Sequence, residues 1–126
     1  MFDFTIPIYV QFYENRIKIT RLDTQEVVEQ IAEEPFTSVR LLLGDFENGE
    51  KCLKLALIKL KFRKWLSPQL SAIVHAMSKT EGGLSAIEIR SFKEMIERCG
   101  AKKVIIYQNE NTLGIHEALK ALKSVT

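Results

Sequence analysis

The side chains in this chain whose types could do chemistry are few and scattered over its 126 residues. His75 sits inside an apolar run and reads as a hydrogen-bonded core or edge residue rather than a ligand, and His116 falls on an exposed helix face. Ser71 and Ser78 lack the strained, glycine-flanked turn and the third partner that activate a hydroxyl nucleophile, which argues against a hydrolase. Cys52 and Cys99 have no metal or redox spacing and read as buried free thiols of a reducing compartment. Gln108 and Asn109 follow the apolar run Val104-Ile105-Ile106-Tyr107. Amides donate and accept hydrogen bonds but cannot act as general bases at neutral pH, and with Asn111 and Thr112 they suit the capping of a following helix. Charge concentrates only at Lys51, Lys54, Lys59, Lys61, Arg63 and Lys64, a run that ends at Trp65. Such a run can face water, dock an acidic protein surface or lie against anionic lipid as a peripheral membrane contact. Nucleic acid is not an expected partner, because Phe62 and Trp65 suit a core better than a base stack. No metal site and no cofactor site emerges from the residue types or their spacing.

Composition bounds what can position these residues. With 46% hydrophobic and 27% charged residues, the chain fits a single globular domain, 1–126, with a real core. No apolar run approaches the roughly 20 residues that cross a bilayer, and the start MFDFTIPIYV lacks a secretory signal's basic region and cleavage site, so a cytoplasmic location is expected. The net charge of +2 hides an asymmetry: residues 1–50 carry four Lys/Arg against ten Asp/Glu, and residues 51–126 carry fourteen against six. Opposite halves of this kind let one copy meet another, so self-association is an expected mode of partnership.

Residues 4–13 are rich in β-branched and aromatic types, Glu14-Asn15 suits a tight turn, and Ile17, Ile19 and Leu22 alternate with polar residues, which predicts a hairpin. Pro7 predicts that its first strand starts at or after Ile8. A third strand is expected over residues 26–32, with a single helical turn as the alternative, and a short strand over residues 36–45 around Val39, Leu41, Leu42 and Leu43. Residues 52–66 fit both a strand alternation and a helical spacing, and their length favours a helix. Leu70 to Met77 reads as a strand. Ser85 with Glu88 three residues on is a capping-box spacing that opens a helix, Gly100 closes it, Val104 to Tyr107 forms a buried strand, and a last helix follows. The resulting order predicts an α/β fold with a ribonuclease-H-like layout, a mixed sheet of about five strands with about three helices, with a regulatory sandwich of the anti-sigma-antagonist type as the competing architecture.

The stretch GLSAIEIRSFKEMIERCGAKKVIIYQNENTLGIHEAL resembles a segment of the bacterial actin MreB (rod-shape-determining) family. There a Gly-aliphatic-Thr helix start leads through Glu-x-Arg to Gly-Ala-Arg-Glu-Val and Glu-Glu-Pro. Gly83, Leu84, Ser85, Glu88, Arg90, Gly100, Ala101 and Val104 fall on matching positions. Asp45-Phe46, Glu50-Lys51 and Ser67-Pro68 look like further collinear stretches, so the resemblance covers roughly residues 40–119.

The resemblance implies one core subdomain of an actin-like ATPase, with the other half of the nucleotide cleft missing. Where that family carries Asp-Leu-Gly-Thr, this chain has Gln11, Phe12, Tyr13 and Glu14, so an acid has become an amide and a glycine a bulky ring. A tight phosphate-binding turn does not suit those residues. Gln108, Asn109 and Glu110 stand where the family has Glu-Glu-Pro. Gln11, Tyr13, Gln108 and Asn109 are thus the degenerate positions of a nucleotide site. The expected function is that of a non-catalytic, actin-like interaction protein whose partner is a second copy or a component of the cell-shape cytoskeleton. The competing expectation is a nucleotide-binding or ATP-hydrolysing component completed by a second chain.

Overall fold

The structure, a computed structural model, describes residues 5–60, 69–79 and 81–124. Its first two strands, β1 (Ile6–Tyr13) and β2 (Arg16–Arg21), form an antiparallel hairpin in which Tyr13 stands opposite Arg16 across a two-residue turn. Asn15 supplies the positive φ (54°) that such a turn requires. Its side chain does a second job, accepting the N–H groups of Phe36 and Thr37 at 2.8 Å each, so the hairpin tip anchors a distant loop. β3 (Val27–Ile31) adds antiparallel to β2.

Pro7 lies inside β1 and not before it. A proline removes one donor, and here the loss falls where the β1–β2 ladder ends. Ile6 N–H donates to the Gln69 carbonyl (2.7 Å), and Pro7 still accepts Leu22 N–H through its carbonyl (2.9 Å). The expected short strand over residues 36–45 does not form. Thr37 Oγ1 donates to the Leu42 carbonyl, Ser38 N–H to the Leu41 carbonyl, and both Gly44 and Asp45 N–H to the Phe36 carbonyl. These internal bonds consume the groups a strand would have offered to a neighbour. The loop buries Phe36, Leu42 and Leu43 and leaves Val39 in water.

The ambiguous segment is a helix as far as it is described. α1 (Phe46–Lys59) begins earlier than its apolar spacing suggested, because Asp45 caps it by accepting Asn48 N–H (2.9 Å). It ends at Leu60, and residues 61–66 of the expected helix lie outside the described residues. β4 (Leu70–Ala76) is buried along its whole length. α2 (Ala86–Arg98) carries both halves of the capping box between Ser85 and Glu88. Gly100, at a φ of 111°, turns the chain into β5 (Ala101–Tyr107), and α3 (Ile115–Ser124) follows.

The five strands form one mixed sheet in the order β3-β2-β1-β4-β5, with β4 parallel to both β1 and β5. Alternation divides β1 between two cores. Ile8, Val10 and Phe12 face α1 and α2, in a core that also takes Ile17, Ile19, Leu53, Phe92, Met95 and Ile96. Tyr9 faces the other way, into a smaller core with Ile73, Ala118 and Leu122 beneath α3. Phe12 is the pivot of the larger core, edge-on to Phe92 (4.8 Å between centroids) and to Phe36 (6.1 Å), so one ring joins β1, α2 and the 36–45 loop. Phe12→Ala is expected to destabilise the fold by about 3–5 kcal/mol in urea unfolding, and a loss below about 1 kcal/mol would contradict this packing.

Candidate functional site

The parallel strands β1, β4 and β5 end together, where ligands of open α/β sheets characteristically bind. Polar residues gather at this end because each strand's alternation continues past its apolar stretch. Tyr9 sends its hydroxyl to His75 Nδ1 at 2.6 Å, and the other imidazole nitrogen, Nε2, meets the Asn109 carbonyl at 2.6 Å. A carbonyl can only accept, so Nε2 carries the proton and Nδ1 accepts from the phenol. The same phenol oxygen accepts Leu113 N–H (3.2 Å). Burial pushes the Tyr9 phenol above its usual range, against the lowering effect of Leu113 N–H, so the hydroxyl keeps the proton that this chain of bonds requires. His75 is fully buried and also meets the ring of Tyr107 edge-on at 4.9 Å.

The four positions singled out from the sequence lie at this end but line two different hollows. Gln108 and Asn109, with Ala76, Gly83, Leu84 and Tyr107, border a hollow of about 190 Å³. Neither amide caps α3, contrary to expectation. That helix is capped by Gly114, whose N–H is met by the Glu117 carboxylate (3.2 Å) and whose carbonyl accepts Ala118 N–H. Gln108 Oε1 instead accepts Leu84 N–H (3.1 Å), which ties β5 to the approach of α2, and Asn109 Oδ1 accepts Asn111 N–H (3.0 Å) in a local turn. Glu88, buried at the α2 N-terminus, keeps Oε2 without a hydrogen-bond partner among the described residues, a position that the helix dipole favours for a negative charge.

Gln11 and Tyr13 lie on the α3 side of the sheet, beside a second hollow of about 250 Å³ whose floor includes Tyr9, Lys18 and Thr20 and whose wall is the 112–115 segment. The Arg16 guanidinium lies 4.0 Å above the Tyr13 ring and pairs with Glu29 at 2.6 Å. Lys18 and Thr20 were not singled out from the sequence. The signal lies in the turn, since a two-residue connection fixes which β2 residue faces which β1 residue and so sets the polar residues that alternate with Ile17 and Ile19 on the face opposite to theirs.

Of the basic run, Lys51, Lys54 and Lys59 are described and exposed, while Lys61, Arg63, Lys64 and Trp65 lie outside the described residues. Lys59 Nζ donates to the Glu29 carbonyl (2.7 Å), and Lys54 and Arg98 both approach the Glu50 carboxylate, at 3.6 and 3.0 Å. Lys51, Lys54 and Ile58, spaced three and four residues apart, form a solvent-facing stripe in which Ile58 is 77% exposed. Among the described residues no helix is long and apolar enough to cross a membrane.

The sequence is 31% identical over 94 residues to the uncharacterized protein YjaA of Escherichia coli (strain K12), a match that spans 71% of this chain and 72% of that protein. The chain belongs to the YjaA family. No family model matches the sequence, and no solved structure matches it.

This member of the YjaA family holds both thiols free, Cys52 buried and Cys99 partly so. Burial pushes each up to about 11, with the Glu50 charge adding to the effect at Cys99 and Lys59 opposing it at Cys52. At neutral pH that lowers the reactive thiolate by about a hundredfold relative to an unfolded chain. Iodoacetamide is therefore expected to label both cysteines at least about tenfold more slowly in the native protein than in denaturant. Because the folded thiols titrate above the unfolded ones, their contribution to stability is complete below pH 9 and is lost as the pH climbs toward about 11. Equal labelling rates in the two states would contradict this.

Proposed function

We propose that this protein is a non-catalytic interaction protein built on a ribonuclease-H-like, actin-type subdomain. The observation that carries the reading is the state of the polar groups at the strand ends. Gln108 Oε1 accepts Leu84 N–H, Asn109 Oδ1 accepts Asn111 N–H while the Asn109 backbone carbonyl meets His75, and the Gln11 amide nitrogen donates to Tyr13 Oη (3.4 Å). The amides at the positions of an ATPase's acids thus hold the chain's own loops, and an amide cannot activate water as a general base. The order β3-β2-β1-β4-β5, an antiparallel meander joined through β1 to two parallel crossover strands, supports the fold part of the proposal.

The stripe of Lys51, Lys54 and Ile58 on α1 supports the interaction part, since two cations followed one turn on by an exposed apolar side chain suit an acidic protein surface with an adjoining apolar contact. The resemblance to bacterial actins suggests a cell-shape protein, or a second copy of this chain, as the partner. Thermal unfolding with and without magnesium-ATP tests the non-catalytic reading, because any ligand of the native state must stabilise it. The expected outcome is an unchanged Tm and no phosphate release. A rise of several degrees would favour a nucleotide-binding component instead.

A further inference from the structure

The groove on the α3 side of the sheet is built from cross-strand rungs. Tyr9 stands opposite Thr20, Gln11 opposite Lys18 and Tyr13 opposite Arg16. Directly opposite residues project from the same face within about 5 Å of each other at Cβ, so Gln11 and Lys18 form one adjacent pair on the groove floor. On this pair two polar atoms are left over. Gln11 is only 4% exposed, and its amide nitrogen reaches Tyr13 Oη (3.4 Å) and Met77 Sδ (3.7 Å), but its carbonyl oxygen Oε1 has no partner among the described residues. That oxygen is not among the buried unsatisfied atoms of the described residues, so it opens to the groove, where a ligand's donor can reach it. The half-buried Lys18 has no carboxylate or hydrogen-bond acceptor for its ammonium among the described residues. Glu29, its neighbour on β3, is engaged by Arg16 at 2.6 Å.

We propose that this groove binds a small hydroxycarboxylate, with the ligand's carboxylate on the Lys18 ammonium and its hydroxyl donating to Gln11 Oε1. One unpaired cation calls for one anion, and a charged pair in a half-enclosed site is stronger than in water. The unpaired carbonyl beside it calls for an O–H or N–H close to that anion on the same molecule. A hydroxyl is favoured over an ammonium because no carboxylate lines the groove to balance a second positive charge next to Lys18. The volume of about 250 Å³ lies below that of sites for drug-sized ligands, which suits a ligand of a few carbons. Tyr9, Tyr13, Leu113 and Ile115 supply the apolar walls. This inference goes beyond the interaction reading and stands without it.

The test is an NMR titration of the full chain with glycerate, using propionate (carboxylate without hydroxyl) and glycerol (hydroxyl without carboxylate) as controls. Glycerate is expected to give saturable shifts at the Gln11 side-chain amide and the Leu113 amide with a Kd of about 1 mM or tighter, while propionate binds at least about tenfold more weakly and glycerol gives no saturable shift. Lys18→Met, on a partly exposed position and checked for an unchanged Tm, is expected to weaken glycerate at least about tenfold. Gln11→Met is expected to bring the affinity for glycerate down to that for propionate. Shifts that do not saturate, equal binding of glycerate and propionate, or undiminished binding by Lys18→Met would each overturn the proposal.

Discussion

A buried sheet end must satisfy its own polar groups, and in this protein one chain of hydrogen bonds does so. Leu113 N–H donates to Tyr9, Tyr9 to His75, and His75 to the Asn109 carbonyl, through distances of 3.2, 2.6 and 2.6 Å. It connects β1, β4 and both sides of the loop between β5 and α3. Each member needs the next, because an unpaired polar atom at this depth costs about 1–3 kcal/mol. The chain also fixes the path of residues 109–113, which in turn sets where α3 begins and how much of the sheet it covers.

The two faces of the sheet are therefore unequal. On one, α1 and α2 bury a continuous apolar core centred on Phe12. On the other, α3 is short and packs over β1 and β4, which leaves the rungs of the β1–β2 hairpin lining a polar groove. The strand ends occupied by their own loops and the groove left with an unsatisfied carbonyl and cation are products of the same placement of α3. At the first location the Gln108 and Asn109 side chains are engaged by the chain's own backbone, and at the second an unpaired carbonyl and cation open to the groove.

Much of this was legible in the sequence where a local rule decides the outcome. The Glu14-Asn15 turn, the Ser85–Glu88 capping box and the closing glycine Gly100 each have a short-range cause and stand as expected. The 36–45 loop misled because its apolar residues are those of a strand, while its bonding is set by the Asn15 side chain 21 residues earlier in the chain. Pro7 misled because its cost depends on where the partner ladder ends. His75 was legible as a hydrogen-bonded core residue, but its partner Tyr9 lies 66 residues away, and only the parallel pairing of β1 with β4 brings them together. The amides at 108 and 109 read as helix caps because the sequence shows their nearness to α3 and not the turn of the chain that gives Leu84 N–H to the Gln108 side chain and Asn111 N–H to that of Asn109.

The account depends most on the coupling between Tyr9 and His75, and a double-mutant cycle of Tyr9→Phe and His75→Leu measures it directly. If the two side chains act as one hydrogen-bonded unit, each single change costs about 1–3 kcal/mol in urea unfolding. The double change then costs little more than the larger single one, which leaves a coupling on the order of 1 kcal/mol or more. Strictly additive losses would show that Tyr9 and His75 are held independently, and the strand ends would then not be organised by this chain of bonds.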